Sequence, residues 1–75
     1  MESHKEVDTS GLNCPLPILK AKKALADLGS GEVLKVIATD PGSVRDFQAF
    51  CRQTGHTLVS QATEGERIVH LLRHR

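Results

Sequence analysis

Two prolines within three residues, Pro15 and Pro17, constrain this chain more than any other feature. Inside a helix each would remove a backbone hydrogen bond and clash with the preceding turn. Yet Ile18, Ala21, Leu25 and Leu28 follow at spacings of three, four and three, which is one face of a helix. The two observations agree only if the prolines open the helix, where the first N–H groups have no intrahelical partner and proline forfeits nothing. The pattern predicts a helix from Pro15 to Leu28, with Pro15 at its first position, Pro17 at its third and Cys14 at the cap. Lys20, Lys22, Lys23 and Asp27 fall largely on the other side, and Gly29 and Gly31 supply the stop.

The rest of the chain reads around that helix. Lys5 to Asp8 is a short strand with one apolar residue, Val7, followed by a loop from Thr9 to Asn13. Val33 to Thr39 is rich in β-branched residues and reads as a central strand. Asp40-Pro41-Gly42-Ser43 is a turn into a second helix, whose buried face is Val44, Phe47, Phe50 and Cys51 and whose stop is Gly55. Thr57 to Thr63 and Arg67 to Arg73 read as strands of a hairpin turning through Glu64-Gly65-Glu66. The order βαβαββ is packed most economically as a two-layer α/β sandwich, with both helices on one face of a four-stranded mixed sheet. The first two strands are expected to run parallel through a right-handed crossover.

Composition removes several classes of function. At 75 residues there is room for one domain, spanning residues 1–75, and none for a nucleotide-binding domain or a barrel. A chain this short buries only about 60% of its unfolded surface, so any chemistry must come from a few residues and a partner or small ligand. Ten Lys and Arg against nine Asp and Glu leave a net charge of +1, and Phe47 and Phe50 are the only aromatics. Neither a basic surface nor a base-stacking platform is evident, so nucleic acid is not an expected partner. No apolar run approaches the roughly 18 residues of a membrane span. The polar stretch Met1 to Glu6 has no signal-peptide core, so a cytoplasmic location is expected. In that reducing compartment the two cysteines read as thiols.

Cys14 is the residue with chemistry in reach. A helix N-terminus carries roughly half a positive charge and exposed N–H donors, which favour an anion. A free thiol of pKa about 8.5 is about 3% ionised at pH 7, and a drop of about 1.5 units would make it half ionised. A depressed pKa is therefore expected for Cys14. The opposing influence is Asp40 and Asp46: if the two helix starts share one edge of the sheet, their carboxylates would temper a thiolate. The residue three after Cys14 is Pro17, where a second cysteine would resolve an adduct as a disulfide. An adduct on Cys14 would persist until a partner removes it. An inert cap cysteine is the competing reading.

These residues carry a family resemblance. Gly11-Leu12-Asn13-Cys14-Pro15-Leu16-Pro17 resembles the Cys-Pro-x-Pro signature of the TusA-like, or SirA-like, sulfur-carrier family. The similarity runs from about Val7 to Arg73 and includes Ala38-Thr39-Asp40-Pro41, Arg45-Asp46, Phe50-Cys51 and Gly55-His56. The resemblance implies a small α/β sandwich acting as a sulfurtransferase-type carrier without a cofactor. Cys14 would take sulfane sulfur as a persulfide from a cysteine desulfurase or another donor and pass it to an acceptor protein. Pro15 and Pro17 would shape the site. Pathways served within the family include tRNA thiolation, molybdenum-cofactor assembly and sulfur oxidation.

Other polar residues are weighed against ordinary structural roles. Lys20, Lys22 and Lys23 are either a solvated helix face or a docking patch for acidic partners. Cys51 reads as a small buried hydrophobe. His4, His56, His70 and His74 show no ligand spacing with each other or with either cysteine, so no metal is expected, and His70 reads as a structural strand residue. Two rival functions are a non-catalytic regulatory or RNA- or protein-binding module of the same fold and a thiol redox enzyme. A carrier that docks two partners in turn is expected to be a monomer.

Overall fold

The computed structural model describes residues 3–75; Met1 and Glu2 of the polar N-terminal stretch lie outside the described residues. The chain order is β1 (Lys5–Thr9), α1 (Leu16–Leu25), β2 (Val33–Ala38), α2 (Ser43–Thr54), β3 (Thr57–Glu64) and β4 (Arg67–Arg73). The strands form one mixed sheet in the order β1-β2-β4-β3, with β1 and β2 parallel and both β2–β4 and β3–β4 antiparallel. This is the expected βαβαββ sandwich.

Alternation along β2 separates the two faces of the sheet. Leu34 and Val36 join Leu72, Ala21, Ala24, Leu25, Phe47, Phe50 and Cys51 in the core under the helices. Val33, Lys35 and Ile37 point to the opposite face. Phe47 lies at the centre, fully buried, with its ring 4.6 Å from that of His70 and 6.3 Å from that of Phe50.

Boundaries move by one residue at three places, where α1 begins at Leu16 and not Pro15, β2 ends at Ala38 and not Thr39, and β3 runs to Glu64 and not Thr63; three further differences have local reasons. Thr9 belongs to β1 and not to the loop, because it is buried and its hydroxyl donates to the Ile37 carbonyl at 2.6 Å. The first helix ends at Leu25, because Asp27 and Leu28 bond back to Ala24 and Leu25 in tighter turns. Glu32 then accepts from the Gly29 N–H at 2.6 Å and closes the loop. The third difference is a bulge. The register on β4 shifts between Leu58 and Ser60, so Leu58 pairs with Leu72 while Gln61 pairs with His70. Strict alternation would place Leu58 and Gln61 on opposite faces; the extra residue, Val59, turns both toward the helices.

The second helix stops where expected. Gly55 adopts φ +83°, a left-handed conformation that side chains resist, and its N–H bonds the Cys51 carbonyl.

Candidate functional site

Both helices begin at the same end of the sheet, past the carboxyl ends of the parallel strands β1 and β2. Ligands and reactive groups gather there in open α/β sheets. The α1 start is built by the motif. Pro15, not Cys14, is the N-cap: its carbonyl accepts the first helical bond, from Leu19 N–H at 3.1 Å. Leu16 N–H reaches back to the Asn13 carbonyl at 2.8 Å, and Pro17 occupies the second helical position, buried and with no N–H to leave unpaired. Cys14 therefore precedes the cap by one residue, and each proline sits one position earlier than the pattern predicted. No side chain caps this helix.

The residue before the cap is held from another element instead. Cys14 N–H donates to Asp40 Oδ2 at 3.0 Å. Gly42 N–H donates to the other oxygen of the same carboxylate, Oδ1, also at 3.0 Å. Asp40 thus ties the loop before α1 to the turn before α2. A second tie runs alongside, from Gly11 N–H to Thr39 Oγ1 at 2.8 Å. Gly11 has φ +80° and open space around it, so the glycine is required there by backbone conformation and not by crowding.

Asp46, in the first turn of α2, faces the Cys14 sulfur. Interaction with its carboxylate holds the Cys14 pKa above the ordinary thiol value. Desolvation and the negative charges of Asp46 and Asp40 push the same way. The expected depression by the α1 terminus is therefore overturned. Both carboxylates do lie beside the thiol, and Cys14 sits outside the cap where the helix field is strongest. Sequence reasoning held these two residues open and had no signal for the division of labour, with Asp40 on the backbone and Asp46 on the sulfur.

Cys14 is free and exposed, whereas Cys51 is free and buried within the core, its thiol pKa raised by burial. Lys20, Lys22 and Lys23 are exposed on α1. Lys20 and Lys23 line a shallow groove with Lys5, Val7, Ala24 and Asp27. Sequence reasoning missed the apolar residues beside them. Leu16 and Leu19 are 44% and 54% exposed, immediately after Cys14. On the other side an open cleft of about 670 Å³ shares Thr39, Pro41 and Val44 with the α2 start and continues to Thr63, Glu66 and Ile68. Among the described residues no helix is long and apolar enough to cross a membrane.

Comparison with known proteins bears on what such a thiol is for. The TusA sulfurtransferase family matches residues 5–74. The chain belongs to the TusA family. Relatives include the sulfur carrier protein TusA of Allochromatium vinosum, 58% identical over 69 residues that cover 92% of this chain and 91% of that protein. A putative sulfur carrier protein of Neisseria meningitidis serogroup A is 51% identical over 92% of this chain and 93% of its own length. Among solved structures, a SirA-like protein from Desulfitobacterium hafniense superimposes with a TM-score of 0.81 at 28% identity, covering 92% of this chain and 95% of that one. The TusA-family assignment and the two-layer fold agree.

Proposed function

We propose that this TusA-family chain is a sulfur carrier that holds sulfane sulfur as a persulfide on Cys14. The observation that carries the reading is the contrast between its cysteines: Cys14 free and exposed on a loop, Cys51 buried in the core. A carrier needs one sulfur that two proteins can reach in turn. A dithiol oxidoreductase needs a second thiol at hand.

In the loading step, Cys14 sulfur attacks the terminal sulfur of a donor persulfide. A new S–S bond forms to Cys14, the donor's S–S bond breaks, and the donor cysteine leaves as its thiolate; no net oxidation occurs. Delivery repeats the exchange toward an acceptor thiol or another sulfur-accepting group. Because the Cys14 thiol pKa is raised, the attack needs its proton removed, and the neighbouring Asp46 carboxylate opposes that removal. A cysteine desulfurase or another persulfide-forming enzyme is the expected donor. The exposed Leu16 and Leu19, followed by Lys20, Lys22 and Lys23, favour a partner with an apolar contact ringed by acidic residues.

The test is intact mass without reductant, after incubation with a cysteine desulfurase and cysteine. One added sulfur is expected in wild type and in Cys51→Ala, and none in Cys14→Ser. No gain in wild type with desulfurase, polysulfide or thiosulfate would leave the binding-module reading in its place.

A further inference from the structure

One fully buried polar side chain lies outside the sulfur chemistry described above. His70, on β4, is fully buried, and its ring bonds on both sides. Nε2 is 3.0 Å from Ser43 Oγ, which is 1% exposed at the first residue of α2. Nδ1 is 3.1 Å from the Gln61 side-chain nitrogen, which also donates to the Val44 carbonyl at 3.0 Å. The Val44 carbonyl can only accept, so the Gln61 atom beside it must be the amide nitrogen, and the Gln61 oxygen is then left to accept from Gln48 at 3.1 Å. Gln61 must then donate to Nδ1, which makes His70 the Nε2–H tautomer and a donor to Ser43.

From Ser43 the chain of bonds continues to the thiol loop. Ser43 N–H donates to the Asp40 carbonyl at 2.9 Å, and the Asp40 carboxylate takes the Cys14 N–H. Asp46 stands three residues after Ser43, on the same turn. Two strand side chains, His70 and Gln61, therefore grip two successive residues of α2, Ser43 and Val44. Gln61 reaches them only because of the β3 bulge.

We propose that His70 is a positioning residue for Cys14: through Ser43 it fixes the first turn of α2, and with it the Asp40 and Asp46 carboxylates against the Cys14 backbone and sulfur. Burial supports the assignment, since it keeps the ring neutral with a pKa of about 4 and so preserves both bonds at neutral pH. The inference rests on Cys14 being the reacting group. It does not depend on sulfur being the cargo.

The deciding measurement is the rate of Cys14 alkylation by iodoacetamide from pH 6 to 10, on the full chain. Four variants are compared, each checked for folding: His70→Phe, Ser43→Ala, Asp46→Asn and the core control Leu58→Ala. Loss of the anchor should loosen Asp46 from the thiol. Both His70→Phe and Ser43→Ala are then expected to shift the profile toward lower pH and to raise the rate at pH 7.5 about two- to fivefold, the scale of an exposed charge interaction. Leu58→Ala, destabilised without touching the network, should keep the wild-type profile. Adding Ser43→Ala to Asp46→Asn should change nothing further. An unchanged profile in folded His70→Phe or Ser43→Ala overturns the proposal. So does an Nδ1–H tautomer of His70 in nitrogen NMR of the wild-type protein, which serves where a variant fails to fold. Alkylation reads the thiol whether or not it carries sulfur, so failure of sulfur loading in the mass experiment is a separate result.

Discussion

The two helix starts lie side by side and are built on opposite plans. The α1 start is exposed and rigid in sequence: two prolines, no side-chain cap and no acidic residue in its first turn. The α2 start is anchored from below, with buried Ser43 on His70, and carries Asp46 in its first turn. The first presents a sulfur atom to solvent; the second sets that atom's surroundings. An exposed reactive group cannot be fixed by packing of its own, so its geometry is borrowed from a neighbour that is packed. Asp40 is the joint between them.

The largest expected effect breaks the anchored side alone. In the folded chain the His70 pKa is about 4, well below the ordinary histidine value of 6.5. The unfolded chain binds this proton more readily, so stability falls as pH drops from 6.5 toward 4. Between pH 7 and 4 the loss from this residue is about 3 kcal/mol. Urea unfolding of wild type beside His70→Phe should show it as a steeper acid dependence in wild type. If the two proteins lose stability in parallel, the anchor is not the acid-sensitive element.

The next effect cuts the joint. Asp40→Ala leaves the Cys14 and Gly42 N–H groups without their acceptor and should cost about 1–2 kcal/mol, a partly exposed charged hydrogen-bond pair. For a domain of this size the Tm would fall by roughly 5–10 °C. Asp46→Asn is smaller in stability and selective in reactivity. It should leave the Tm nearly unchanged and speed Cys14 alkylation at pH 7.5 about two- to fivefold, because the carboxylate that holds the thiol proton is gone. The smallest effect lies away from both starts. Lys5 Nζ and Asp27 meet at 2.7 Å, yet Asp27→Asn should give no resolvable change in Tm, because both groups sit in solvent.

Much of this architecture is legible in the residues. The apolar spacing of Ile18, Ala21 and Leu25 and the β-branched run of β2 each report a burial pattern that is local in sequence. The hairpin turn is legible to within one residue: read at Glu64-Gly65-Glu66, it is Gly65-Glu66, with Glu64 still in β3. The site is legible only in part. Cys14-Pro15-Leu16-Pro17 marks the helix start because proline geometry is local. The direction of the thiol pKa is not legible, because it depends on which of two opposed influences comes nearer, a helix terminus next in sequence or a carboxylate on another helix. The Ser43–His70–Gln61 network is hidden for a similar reason. It needs the β3 bulge, and nothing in Leu58-Val59-Ser60-Gln61 announces a shift of register.

The carboxylates beside Cys14 have a consequence for the loaded protein. On the proposed reading, in which Cys14 carries a persulfide, a stronger acid than a thiol, loading would convert a neutral group into an anion near Asp46 and Asp40. The carboxylates that favour the protonated thiol of the unloaded state would repel the loaded one. Such an arrangement would raise the group-transfer potential of sulfur bound there above that at a bare helix terminus, and so ease its release to the next thiol.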